Sequence, residues 1–184
     1  TDNTTGTENT AVGAYALTEN TTGGTNSALG YTALYTNTTG ASNTAVGRSA
    51  LYTNNADNNT GIGQRALYAN TSGAANTAVG SQALDANTTA AYNTAVGRSA
   101  LAAATTGGYN NAIGSNALDA LTTGTHNCAM GVNALGASNG NNNTAVGSAA
   151  MYTNTTGGNN VAIGYAASYT NSTGSENVAV GYAA

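Results

Sequence analysis

Asn43-Thr44-Ala45-Val46-Gly47-Arg48-Ser49-Ala50-Leu51 returns without a change as Asn93-Thr94-Ala95-Val96-Gly97-Arg98-Ser99-Ala100-Leu101. Looser copies stand before, between and after these two. Together they read N-T-A-V-G-x-x-A-L-Y-T-N-T-T-G-x-x. The phrase glycines are Gly13, Gly30, Gly47, Gly63, Gly80, Gly97, Gly114, Gly131, Gly147, Gly164 and Gly181. Their spacing is 17 residues, except for steps of 16 from Gly47 to Gly63 and from Gly131 to Gly147. A short fixed period makes each repeat one coil of a solenoid, and stacked coils bury what no single coil can bury alone. The expected fold is all-β: a parallel β-solenoid, or β-roll, of about 11 coils of 17 residues with two short strands per coil. Residues 1–184 then form one repeat domain, with strands of adjacent coils ~4.8 Å apart and a rod roughly 50 Å long.

Composition agrees with an extended repeat more than with a globule. Ala, Thr, Asn and Gly dominate, and Pro, Phe and Trp are absent. Such bias usually accompanies disorder, but a disordered tract has no reason to keep an aliphatic residue in register over every copy. Three basic and seven acidic residues give a net charge of −4. Three scattered arginines cannot neutralise a phosphate backbone, which argues against nucleic acid as a partner. No apolar run approaches the ~20 residues of a membrane helix, so no membrane insertion is expected in this segment. A single cysteine rules out an internal disulfide framework. The chain opens and stops inside a repeat without a capping coil, as a segment of a longer chain or fibre would. Its two ends are almost in phase, so head-to-tail continuation into a filament is one expectation.

With the phrase glycine as position zero, the columns can be read one by one. Asn stands at −4 in every copy: Asn9, Asn26, Asn43, Asn59, Asn76, Asn93, Asn110, Asn127, Asn143, Asn160 and Asn177. This is a candidate amide ladder, each side chain bonding the same residue above and below. An aliphatic stands at −1, from Val12 to Val180, and Leu at +4, from Leu17 to Leu135, then Met151 and Ser168. Both columns are expected inside the coil. Ala at −2 and +3 implies a surface close by, either the opposite side of a thin coil or a neighbouring chain. The glycine suits a turn with positive φ, and N-T-T-G a second corner. The two strands are then N-T-A-V before the glycine and A-L-Y-T after it.

Asn160-Val-Ala-Ile-Gly164-Tyr-Ala-Ala and Glu176-Asn-Val-Ala-Val-Gly181-Tyr-Ala-Ala resemble the head repeat of trimeric autotransporter adhesins, the YadA-like head. Similar phrases occur in bacteriophage tail fibres. The resemblance covers the whole chain, with Gly61 replacing Ala once. It implies a left-handed roll, a homotrimer, and a place outside the cell or on a virion tail fibre. Two departures stand out: the family repeat is shorter, and Thr mostly fills the −3 slot that the family gives to Val. Val46-Gly-Arg-Ser-Ala-Leu51 also fits the hexapeptide of left-handed β-helix acyltransferases, but those coils need three hexads and this one has one.

Candidates for chemistry are few. His126 lacks an identifiable partner to act as a base, and Cys128 fills the −3 column as a small side chain. Asp85 and Asp119 share a column two coils apart, too far to chelate one ion. Arg48, Arg65 and Arg98 follow the glycine on an exposed face. No phosphate-binding glycine motif is present, and no cofactor or enzymatic turnover is expected. Two surface features carry more. Tyr35, Tyr52 and Tyr68 fall in one column on successive coils, repeated by Tyr152 and Tyr169. Such a strip either stacks on sugar rings or stacks on itself. Sequons at Asn3, Asn20, Asn37, Asn70, Asn87, Asn154 and Asn171 are candidate glycosylation sites or plain turn chemistry. The expected function is an extracellular structural fibre or adhesin segment that self-associates and engages surface glycans or a host receptor. A phage tail-fibre shaft is one alternative. Ice binding through Thr rows, suggested by Thr36-Asn-Thr38 and Thr153-Asn-Thr155, is another.

Overall fold

The computed structural model describes residues 3–184. The chain winds into a parallel β-solenoid. Eleven three-residue strands, from β1 (Thr10–Val12) to β11 (Val178–Val180), form one sheet in consecutive order. The register follows the sequence columns: Thr44 lies opposite Thr60, Ala45 opposite Gly61 and Val46 opposite Ile62. Among the described residues no helix is long and apolar enough to cross a membrane.

Each coil holds one strand, not two. The A-L-Y-T segment does ladder with its neighbours: Leu34 N–H donates to Ala50 O at 3.0 Å, and Thr36 N–H to Tyr52 O at 3.0 Å. Its backbone is not extended, however. Positions +2 and +4 sit in the left-handed region, as at Ser49 (φ 56°) and Leu51 (φ 51°), and so does position −5, as at Ser42 (φ 58°). Left-handed residues turn the chain sharply. They cost ~1–2 kcal/mol each for L-residues, so the coil must over-determine them. It does so through the ladder bonds and by burying the Leu side chain.

The strand places its side chains alternately, as the two-residue period requires. Ala45 at −2 is buried, while Thr44 at −3 and Val46 at −1 point outward. The aliphatic column is therefore outside, contrary to expectation: Val12, Leu29, Ile113, Met130 and Ile163 are all exposed. The Leu column is inside, with Leu34 through Leu135 and Met151 fully buried against the Ala columns at −2 and +3. One Leu per coil nearly fills the interior. At Gly61, the one gap in the −2 column, an added methyl would lie 3.1 Å from Leu51 Cγ. Small residues line the coil because its own opposite wall is close.

The phrase glycine is needed for two separate reasons. Gly47 has φ +128°, and a Cβ there would lie 2.7 Å from the Gly63 carbonyl carbon of the next coil. Backbone meets backbone at this corner, so no side chain can yield.

The two 16-residue coils are shortened in the N-T-T-G corner. In 17-residue coils one threonine carbonyl takes several amides of the preceding coil. Thr21 O accepts from Thr4 N–H (3.0 Å), Thr5 N–H (3.0 Å) and Gly6 N–H (3.3 Å). The short coils carry Asn instead, and its side-chain oxygen does the same work. Asn55 Oδ1 accepts from Thr38 N–H at 3.1 Å and Thr39 N–H at 2.9 Å. Asn139 Oδ1 accepts from Thr122, Thr123 and Gly124 N–H at 3.1, 3.0 and 3.2 Å. A side-chain amide thus replaces a deleted peptide group, and the stack continues without a break.

Candidate functional site

The −4 asparagines do form a ladder, but its main partners are backbone. Asn76 Oδ1 accepts from Asn93 N–H at 3.0 Å, and its Nδ2 donates to Ala90 O at 2.8 Å. The direct amide contact, Asn76 Nδ2 to Asn59 Oδ1, is longer at 3.2 Å. From Asn26 to Asn160 the column is buried. Each such amide satisfies one donor and one acceptor that a coil this thin could not otherwise pair.

The sequon asparagines make a second internal ladder. Asn37 Nδ2 donates to Asn20 Oδ1 at 3.1 Å and to Gly40 O at 2.9 Å. Asn26 from the other ladder donates to the same Gly40 carbonyl at 2.8 Å, so in coils that carry both asparagines one carbonyl ties the two ladders together. Asn20, Asn37, Asn70, Asn87 and Asn154 are fully buried. Their reading as exposed glycan acceptors is corrected: the nitrogen that would carry a sugar donates into the core. Asn3 is exposed and Asn171 half-buried, and both also donate to a nearby glycine carbonyl, at 2.8 and 3.1 Å. Two acceptors of this ladder lack a donor. Asn87 Oδ1 is unpaired where Ala104 replaces the next Asn, and Asn154 Oδ1 is unpaired because Asn171 Nδ2 donates to Gly174 O alone.

The aromatic residues gather into stacks on the surface. Tyr35, Tyr52 and Tyr68 stack face to face with centroids 5.2 Å apart at each step. Tyr52 has a ring on both sides. Desolvation in the stack, followed by Tyr35, Tyr68 and the Glu19 carboxylate, pushes its phenol above the ordinary value. Tyr68 lies 4.5 Å from the Arg65 guanidinium, which is pinned by a bidentate pair to Asp85 at 3.0 and 2.9 Å. That hydrogen-bonded pairing raises the Arg65 pKa further. Tyr152–Tyr169 repeats the column at 5.5 Å. Most ring faces expected to meet sugars therefore meet one another. A second stack, Tyr92–Tyr109–His126, was not anticipated. The only signal for it was aromatic recurrence at −5.

The remaining candidates stay apart. His126 stacks on Tyr109 at 5.0 Å. Cys128 is a free, half-buried thiol on the outward row of β8 (Cys128–Met130). Asp85 is paired with Arg65, whereas the Asp119 carboxyl is raised by burial against weaker hydrogen bonds from its own and the next amide. Arg98 reaches Asn116 at 3.4 Å. No group of three His, Cys, Asp or Glu could hold a metal ion among the described residues. In the corners, threonine hydroxyl hydrogens are committed to the next coil. Thr36 donates to Tyr52 O at 3.1 Å and Thr155 to Ser172 O at 2.8 Å.

What remains open is the outer face of the sheet. Its −1 column is aliphatic over all eleven coils, and its −3 column is Thr, Ser, Asn, Cys or Val. Neither column contains a charge. The fold defines the class, a parallel β-solenoid repeat protein. Compared with known proteins, the chain matches no family model, no curated protein and no solved structure.

Proposed function

We propose that the chain is a non-catalytic structural module of an extracellular fibre or adhesin, a stiff rod that assembles with copies of itself through the outer face of its sheet. One observation carries this reading: an unbroken aliphatic row runs roughly 50 Å along that face at strand spacing. Eleven partly open aliphatic side chains expose on the order of several hundred Å², as much as the largest apolar patch of a typical monomer. That is of the same order as the ~800 Å² a stable interface takes from each partner. The face has no charge to repel a second copy. The resemblance to the YadA-like head repeat supports the same reading, with three copies side by side and a location outside the cell.

Sedimentation velocity tests it. The chain is expected to sediment as an oligomer, a trimer first, at micromolar concentration. The double variant Val79→Lys, Val96→Lys places two like charges on the row without touching the core. It is expected to sediment as a monomer with an unchanged circular dichroism spectrum. A wild-type chain that stays monomeric throughout would overturn the proposal.

A further inference from the structure

The Tyr35–Tyr52–Tyr68 stack is closed at one end and open at the other. Arg65, held by Asp85, covers the Tyr68 end. At the opposite end Tyr35 has a stacked ring on one side only, and the preceding coil supplies Thr18 in this column, not an aromatic. Beside it Tyr15 and Tyr31 meet edge to face, 5.9 Å apart at 85°. These two rings, with Thr32, Tyr35 and the adjoining Tyr52, line an open cleft of about 390 Å³. Tyr15 is 60% exposed and Tyr31 50% exposed.

We propose that this cleft binds one pyranose ring of a neutral glycan, stacked on the free face of Tyr35 and edged by Tyr15, Tyr31 and the Tyr52 phenol. This goes beyond the structural role above and holds whether or not copies associate. A pyranose has an apolar C–H face and a rim of hydroxyls. The cleft matches both, offering aromatic surface and four phenol hydroxyls that donate and accept at their tips. Its volume lies near the low end of the ~300–1,000 Å³ of ligand pockets, which suits a single ring. The Glu19 carboxylate bears on the same stack and disfavours an acidic sugar. A polyproline peptide, the other common guest of aromatic grooves, needs a track extended at ~3.1 Å per residue. This cleft is bounded by the coil stack instead.

Saturation-transfer NMR with the full chain tests the proposal, using cellotriose, mannotriose and N-acetylchitotriose as neutral probes, sialyllactose as the acidic probe and decaproline as the peptide. At least one neutral trisaccharide is expected to bind, with a dissociation constant near the ~1 mM of weak binding or tighter. Tyr35→Ala is expected to weaken it about tenfold or more, and Tyr35→Phe, which keeps the stacking face, by less than about threefold. Tyr68→Ala removes a ring already covered by Arg65 and should leave binding unchanged. Tyr15→Ala, at the rim, serves as a second probe should Tyr35→Ala disturb the fold by circular dichroism. No neutral binding at about 10 mM, ten times the weak-binding constant, would overturn the site. So would tighter binding of sialyllactose or decaproline, or equal losses from Tyr35→Ala and Tyr68→Ala.

Discussion

At the scale of single residues, this coil is held by amides. Asn76 donates to a carbonyl and accepts from an amide, both in the next coil. Asp cannot donate when ionised. Asn76→Asp therefore sets a carboxylate against Ala90 O in a buried stack, and a loss of ~1–3 kcal/mol in unfolding free energy is expected, the usual cost of unpaired buried polar groups. The pH dependence has a definite sign. Burial without a cation raises the folded pKa of the new carboxyl above the ~3.9 of an unfolded aspartate. The variant is then nearest to wild type below that unfolded value, where its protonated oxygen can donate as the amide did. It loses stability as pH rises through the raised folded value. Urea melts at two pH values check this, and equal deficits at both would count against a buried ladder. Asn55 offers a milder case. Asn55→Ala removes the oxygen that takes the Thr38 and Thr39 amides. Because the site is exposed and water can replace it, a loss of only about 1 kcal/mol is expected. Thr is the residue of the 17-residue coils, yet Asn55→Thr should not rescue, since the shortened corner has no carbonyl in the right place.

At the scale of the element, the strand and the turn after it exchange the roles that their residues suggest. Val79 looks like core and is on the surface; Leu84 sits in a left-handed turn and is core. Leu84→Ala is expected to cost ~2–5 kcal/mol, whereas Val79→Ala in the dissociated chain should cost within ~0.5 kcal/mol. Thermal melts of the two variants check the inversion. The strict 17-residue recurrence made the coil, the parallel stacking and the in-register columns legible in the sequence, because all three follow from repetition alone. The direction of the −1 column was also written there. Asn76 and Ala78 share one face of a period-two strand, which sends Thr77 and Val79 to the other. Hydrophobicity outweighed period in that reading. The second strand failed for a different reason. Leu and Ser carry no mark of a left-handed backbone, and only tertiary contact forces φ near +50° on them. The burial of Asn37 or Asn70 was hidden in the same way. A sequon and a core amide have the same letters, and what separates them is whether a coil above supplies the acceptor. The open face of Tyr35 was legible in Thr18 one coil earlier, but the closing of the far end by Arg65 over Tyr68 spans columns and has no linear signature.

At the scale of the whole molecule, the stack is nearly one-dimensional. Strands pair only with their immediate neighbours, from β1 to β11. Stability should then add coil by coil through nearest-neighbour terms. From Asn20 to Asn87 the two ladders sharing Gly40 O and its counterparts repeat those terms with little variation, and the shortened coil at Asn55 does not interrupt them. The weakest joints are expected where the second ladder lapses, at Ala104, Leu121 and Ser138, since these coils lack its bonds. Hydrogen exchange would check this: amides around Leu118 to Ser138 should exchange sooner than those around Leu67 to Leu84. Uniform protection along the rod would mean that burial of Leu121 makes up for the missing amides.

The chain circles the axis while its coils stack along it, and that geometry decides how the rod answers to tension. A pull on the two ends cannot load every coil at once. It peels the outermost coil, whose bonds to a single neighbour must fail before the next is touched. Each coil released converts a ~4.8 Å rise into 17 residues of free chain, on the order of 55–60 Å at full extension. Single-molecule stretching should show a force plateau divided into steps of that size, dipping where the coils of Ala104, Leu121 and Ser138 peel away without the second ladder. A rod built this way would pay out length coil by coil under load and rewind when the load is removed.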